Sequence, residues 1–136
     1  MKKSPWIYML ISMAGWLGAC SRSEENMNTL PGTYSGTFDR YIQNKGRTVN
    51  VTITFTESWF DGISDTSGYP AICAGTYKTW SDSIGFINSC DFPDSVPGSL
   101  ILNGNWSLVQ KGDSIFMRRL YPDLIYQEDV YRMRRR

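Results

Sequence analysis

Val49-Asn50-Val51-Thr52-Ile53-Thr54-Phe55-Thr56 is apolar at every odd position and polar at every even one. A period of two sends all the apolar side chains to one side of an extended chain. It predicts a half-buried antiparallel strand with one wet face. Upstream, Tyr34, Gly36 and Phe38 alternate with Thr33, Ser35 and Thr37 in the same way. Downstream, Trp106 to Val109 leads through Gln110-Lys111-Gly112-Asp113 into Ile115-Phe116-Met117, a hairpin with a glycine turn. Leu100-Ile101-Leu102 precedes Asn103-Gly104, a dipeptide suited to a type I′ turn or a bulge. The tyrosine-rich run from Leu124 to Met133 reads as a closing strand. Pro70, Pro93 and Pro97 punctuate loops, Asp91 to Gly98 is the longest connector, and no amphipathic helix follows the first 30 residues. Hairpin-linked short strands of this number suggest a sandwich or a closed barrel. Closure removes exposed strand edges, which favours the barrel. The expected fold is all-β, an antiparallel up-and-down barrel of about 8 strands over residues 30–133, with 134–136 as a solvated basic tail.

The N-terminus has a different grammar. Lys2-Lys3 precedes an apolar stretch, Pro5 to Ala19, that is shorter than the roughly 20 residues a membrane-spanning helix needs. Gly18-Ala19 offers the small side chains that a signal peptidase requires beside its cut. Leu17-Gly18-Ala19-Cys20 resembles the lipobox of bacterial lipoproteins. That resemblance implies that residues 1–19 are a signal peptide and that Cys20 is acylated as the mature N-terminus. Several acyl chains together anchor firmly where one does not. Residues 20–29, including Ser21-Arg22-Ser23-Glu24-Glu25-Asn26, would then be the lipidated cysteine and a flexible tether. Ser21 in place of aspartate, by resemblance to enterobacterial sorting rules, implies the outer membrane, on its periplasmic or cell-surface face. The Ser-Arg-Ser-Glu-Glu run is similar to export signals of surface lipoproteins in the Bacteroidetes.

Fourteen basic residues stand against thirteen acidic, and losing Lys2 and Lys3 with the signal leaves the chain near neutral. Nothing in that balance suggests nucleic acid. Cys73 and Cys90 are the cysteines left after Cys20, and they flank Trp80-Ser81-Asp82-Ser83. A hairpin centred between Ser81 and Asp82 sets them directly opposite each other. Non-hydrogen-bonded cross-strand partners lie about 4.5 Å apart at Cα, within reach of a bridge. A disulfide is therefore expected in an exported domain. Two thiolates as metal ligands would lack the other donors that a closed site needs, so no metal is expected.

Gly32-Thr33-Tyr34-Ser35-Gly36 resembles the Gly-x-Trp opening of lipocalin-like barrels, with Tyr34 in the tryptophan position. The glycine-turn hairpins and a near-terminal basic strand with Arg118, Arg119 and Arg132 fit the same pattern. Small lipocalin-like lipoproteins of the Bacteroidetes look similar over most of residues 30–133. The resemblance implies a barrel that binds a small apolar or amphipathic ligand. Tyr34, Phe55, Tyr77, Phe86 and Trp106 would line its cavity, with Trp59 and Phe60 near the entrance.

The chain contains no histidine, which removes Ser-His-Asp and Cys-His catalysis and imidazole metal sites. Glu57, Asp61, Asp65, Asp91 and Asp94 are the remaining acid-base candidates, but Asp61-Gly62 and Asp91-Phe92-Pro93-Asp94 read as turns. No enzyme activity and no cofactor are expected. The alternative to a ligand barrel is one filled by its own aromatics, a rigid platform for an envelope protein partner, as in an inhibitor or assembly factor. Contacts would then come from Trp59 to Tyr69 or Asp91 to Gly98.

Overall fold

The alternation that opens the sequence becomes one wall of a closed barrel. In the computed structural model, which describes residues 30–123 and 126–136, β2 (Lys45–Phe55) buries Val49, Val51, Ile53 and Phe55. The polar side chains between them face out. Thr54 and Thr52 meet Thr33 and Ser35 across the β1–β2 ladder, hydroxyl to hydroxyl, at 3.0 and 3.2 Å. The expected signal segment 1–19, the expected tether 20–29 with Cys20, and Leu124 lie outside the described residues.

Eight strands follow in order: β1 (Gly32–Ile42), β2, β3 (Trp59–Ser64), β4 (Ala74–Thr79), β5 (Ser83–Asn88), β6 (Gly104–Lys111), β7 (Ser114–Tyr121) and β8 (Gln127–Arg135). Each pairs antiparallel with its sequence neighbours, and β8 returns to pair with β1. This is an up-and-down barrel without a free edge. The described strands close on themselves within residues 32–135, with the core cluster from Leu30 to Met133 inside them. At the seam, Gly36 of β1 is required by close approach: a Cβ there would lie 1.9 Å from the Arg132 carbonyl oxygen.

The two ends differ. At the narrow end, tight turns join β2 to β3, β4 to β5 and β6 to β7, the last through Gly112 in the left-handed region at φ 55°. At the wide end, the turn at Gln43 and Asn44 is accompanied by long connections over 65–73, 89–103 and 122–126.

The β4–β5 register pairs Gly75 with Asn88, Tyr77 with Phe86 and Thr79 with Ile84, which centres the hairpin between Ser81 and Asp82. Cys73 and Cys90 sit two steps beyond the last ladder pair and form a disulfide. Their Cα atoms are 6.2 Å apart, wider than the distance expected for a paired position.

Three local expectations are corrected. Asn103-Gly104 is not a hairpin turn: Leu100 ends a single 3₁₀ turn, Ile101 makes an isolated parallel bridge to Ala71, and Gly104 opens β6. Asp61-Gly62 lies inside β3, where glycine is needed because a Cβ would come within 2.6 Å of the Thr52 carbonyl oxygen. Residues 134–136 are not a free tail, because β8 continues through Arg134 to Arg135 and the Arg136 amide donates to the Thr33 carbonyl at 2.9 Å.

Candidate functional site

Inward positions of the strands carry the aromatics singled out in the sequence, and these side chains touch one another. Tyr34 meets Phe55 edge-on at 5.7 Å between ring centroids, and Phe55 meets Tyr77 at 5.1 Å and Phe86 at 6.3 Å. Phe60 packs on Phe86 at 5.0 Å, and Trp106 packs on Tyr131 at 5.2 Å. Edge-to-face and tilted contacts of this kind fill volume efficiently. Tyr34, Phe55, Phe60, Phe86 and Trp106 are all buried in the core, with Ile53, Ile84, Met117 and Tyr131 between them. Tyr77 packs against the core from a partly exposed position, its hydroxyl donating to the Thr56 carbonyl. Trp59 is different: it points outward at the narrow end and is 54% exposed. Phe60, expected beside it at an entrance, faces the interior.

Each end of the barrel carries groups that pack over the core. At the narrow end Arg135 lies over the Tyr34 ring, 5.3 Å from its centroid, and its Nη2 donates to the phenol oxygen at 2.7 Å. At the wide end the connections carrying Ala71 and Leu100–Leu102 cross the mouth. The Ala71 amide donates to the Leu100 carbonyl and the Leu102 amide to the Ala71 carbonyl, each at 3.0 Å. Ala71, Leu100 and Leu102 of this strap are themselves buried.

A polar cluster holds the strap down. Arg40 clamps Asp129 with Nε and Nη2 at 2.7 Å each, a bidentate pair that is buried on both sides. The Tyr121 hydroxyl donates to Asp129 at 2.7 Å. Arg40 and Arg119 both donate to the Ser99 carbonyl at 3.0 Å, and Arg119 also reaches the Asn103 carbonyl at 2.7 Å while stacking 4.2 Å from the Trp106 centroid. Burial works against the Arg40 charge, but the hydrogen bond and the attraction of Asp129 outweigh it and raise its pKa. Burial also raises the Tyr121 phenol, helped by its hydrogen bond to Asp129, and pushes Tyr131 well up. Asp129 thus accepts from three donors, and the cluster ties β1, β7 and β8 to the connection that carries Ser99. Sequence reading missed it, although the signal was present: Arg40 continues the inward parity of Tyr34 and Phe38, and Asp129 that of Tyr131 and Met133.

The outer surface carries two unlike walls. On β3–β5 the register aligns Trp59, Thr76 and Ile87 in one row across three strands. Ile63 is 70% exposed on the same face and Ile87 69%, while Trp80, 51% exposed, lies beside Gly85 with Lys78 5.7 Å from its ring. On the opposite side, β6, β7, β8 and β1 form a shallow open groove of about 480 Å³, lined by Lys111, Ser114, Phe116, Val109, Arg134 and Ser35 among others. No protein-family model, curated protein or solved structure matches this chain.

Proposed function

We propose that this protein is a non-enzymatic, lipid-anchored docking module of the bacterial outer membrane, held by acylated Cys20 and offering the β3–β5 wall of a filled, lipocalin-like barrel to another envelope protein. The observation that carries the reading is the division of aromatics between inside and outside. Inside, rings pack on rings and each end carries groups that pack over the core, so a small apolar ligand would have to displace them. Outside, Trp59, Trp80, Ile63 and Ile87 leave apolar surface on one wall. Tryptophan in such a patch is the residue type that most often dominates protein–protein binding energy. Support for the family reading comes from Arg135 over Tyr34, which joins the near-terminal basic strand to the Gly-x-Tyr opening.

Photocrosslinkers placed at Trp59 and Ile63, in cells that make the protein natively, test the reading. A recurrent crosslinked band from both positions, lost when the probe sits at Lys45, is the expected result. Absence of any recurrent band from the wall overturns it. The anchor is tested by the mass of the N-terminal peptide, which should carry diacylglycerol and an acyl chain on Cys20. A Cys20→Ser chain should lose those acyl groups and become extractable from the membrane fraction by high salt, which the acylated chain resists.

A further inference from the structure

The second wall carries chemistry that a protein-docking role does not use. The register sets Lys111, Ser114, Arg134 and Ser35 in one row across β6, β7, β8 and β1. The adjacent row is Val109, Phe116, Arg132 and Thr37. Neighbouring strands are about 4.8 Å apart, so Lys111 and Arg134 flank Ser114 from two strands with their cationic ends free to converge above its hydroxyl. Below them Val109, 49% exposed, and Phe116 form an apolar floor.

Charge accounting separates these cations from their neighbours. Arg132 is engaged by Asp39 at 3.0 Å and lies over Phe116, 5.4 Å from its centroid. Arg135 turns to Tyr34, with Asp113 4.0 Å away. Among the described residues Lys111 and Arg134 form no ion pair. Two free cations, hydroxyls and an apolar floor suit an anion attached to a hydrocarbon chain.

We infer that this groove docks an anionic phospholipid of the membrane surface, its phosphate between Lys111 and Arg134 and the start of its acyl chain on Val109 and Phe116. The volume of about 480 Å³ fits a headgroup with its first methylenes. Placement agrees, because the row lies at the narrow end where β1 begins. On the anchored reading above, on which the nearness of a bilayer rests, the ten residues 20–29 span at most about 35 Å when fully extended. The groove is therefore within reach of the lipid surface, and docking there would turn the β3–β5 wall away from the membrane.

The test uses the barrel from Ser21, without acyl chains, so that its outcome is independent of the anchor. Co-sedimentation is measured with vesicles of phosphatidylcholine alone and of equal parts phosphatidylcholine and phosphatidylglycerol. Binding is expected only to the second, falling as salt is added. Lys111→Glu with Arg134→Glu should weaken it about tenfold or more, whereas Lys45→Glu at the wide end leaves it unchanged. Val109→Asp, which alters the floor without removing a cation, should also weaken it. Circular dichroism checks that each variant is folded. Equal binding to both vesicles, or full binding by the double variant, overturns the inference. So does tighter binding of free glycerol phosphate than of the vesicle lipid, measured by calorimetry, which would mark a site for soluble phosphate. Failure here leaves the crosslinking result at Trp59 and Ile63 untouched, because the two walls face opposite ways.

Discussion

Asp129 is completely buried, yet it accepts from Arg40 twice and from Tyr121 once, so its charge is matched rather than stranded. Removing one partner of such a pair is far worse than removing both. Asp129→Asn should therefore destabilise the barrel by about 3 kcal/mol, read as the shift in urea denaturation, while Arg40→Met with Asp129→Leu should cost clearly less. A second prediction concerns alkali. Burial, reinforced by the Asp129 charge, keeps the Tyr131 phenol protonated above its ordinary range in the folded state. The unfolded chain releases that proton near pH 10, so stability is intact below about pH 10 and falls as pH rises beyond it. Tyr131→Phe should flatten that fall, measured as denaturation midpoint from pH 9 to 11. At this scale the sequence is legible by parity. Alternation puts Tyr34, Phe55, Phe86 and Trp106 on the inward face, where they are buried, while Trp59, expected near an entrance, stands outward. Pairing is another matter: nothing local joins Arg40 to Asp129, which are 89 positions apart.

Among the elements, β2 and the β4–β5 hairpin were readable because each is determined by its own residues. Alternation sets the buried face of β2, and the short link Trp80-Ser81-Asp82-Ser83 sets the hairpin centre and hence the cysteine pairing. The Cys73–Cys90 bridge closes 17 positions of chain. Its reduction should cost about 3 kcal/mol, seen as a drop in melting temperature on adding a reductant and abolished in the Cys73→Ala, Cys90→Ala double variant. Gly36→Ala should destabilise by at least about 2 kcal/mol in thermal melts, since the added methyl meets backbone that cannot step aside. Elements misread from the sequence are those decided by distant partners. Leu100-Ile101-Leu102 has the composition of a strand, but its partner is Ala71 across the mouth and it serves as a strap. Arg134 and Arg135 have the composition of a tail, but the Tyr34 ring gives the second of them a place at the barrel's end.

For the molecule as a whole, the packed aromatics and the exposed ones stand on opposite sides of one sheet. Phe55→Ala, which empties the centre of the ring cluster, should cost about 3–5 kcal/mol in denaturant unfolding without a specific effect on docking. Trp59→Ala should do the reverse. It should change unfolding by no more than about 0.5 kcal/mol while the crosslinked band from Ile63 disappears. The closed sheet also imposes an order in time. β1 is the first strand of the chain to emerge and β8 the last, and each is the other's neighbour across the seam. In a chain threaded N-terminus first through a narrow channel, β1 can pair with β2 but keeps one open edge until β8 has cleared the exit. Hairpins can form along the way, but the ring cannot lock, and neither Arg40 nor Tyr34 meets its partner on β8 until then. Closure that waits on the last strand would leave such a chain pliable during the passage and let it set only afterwards.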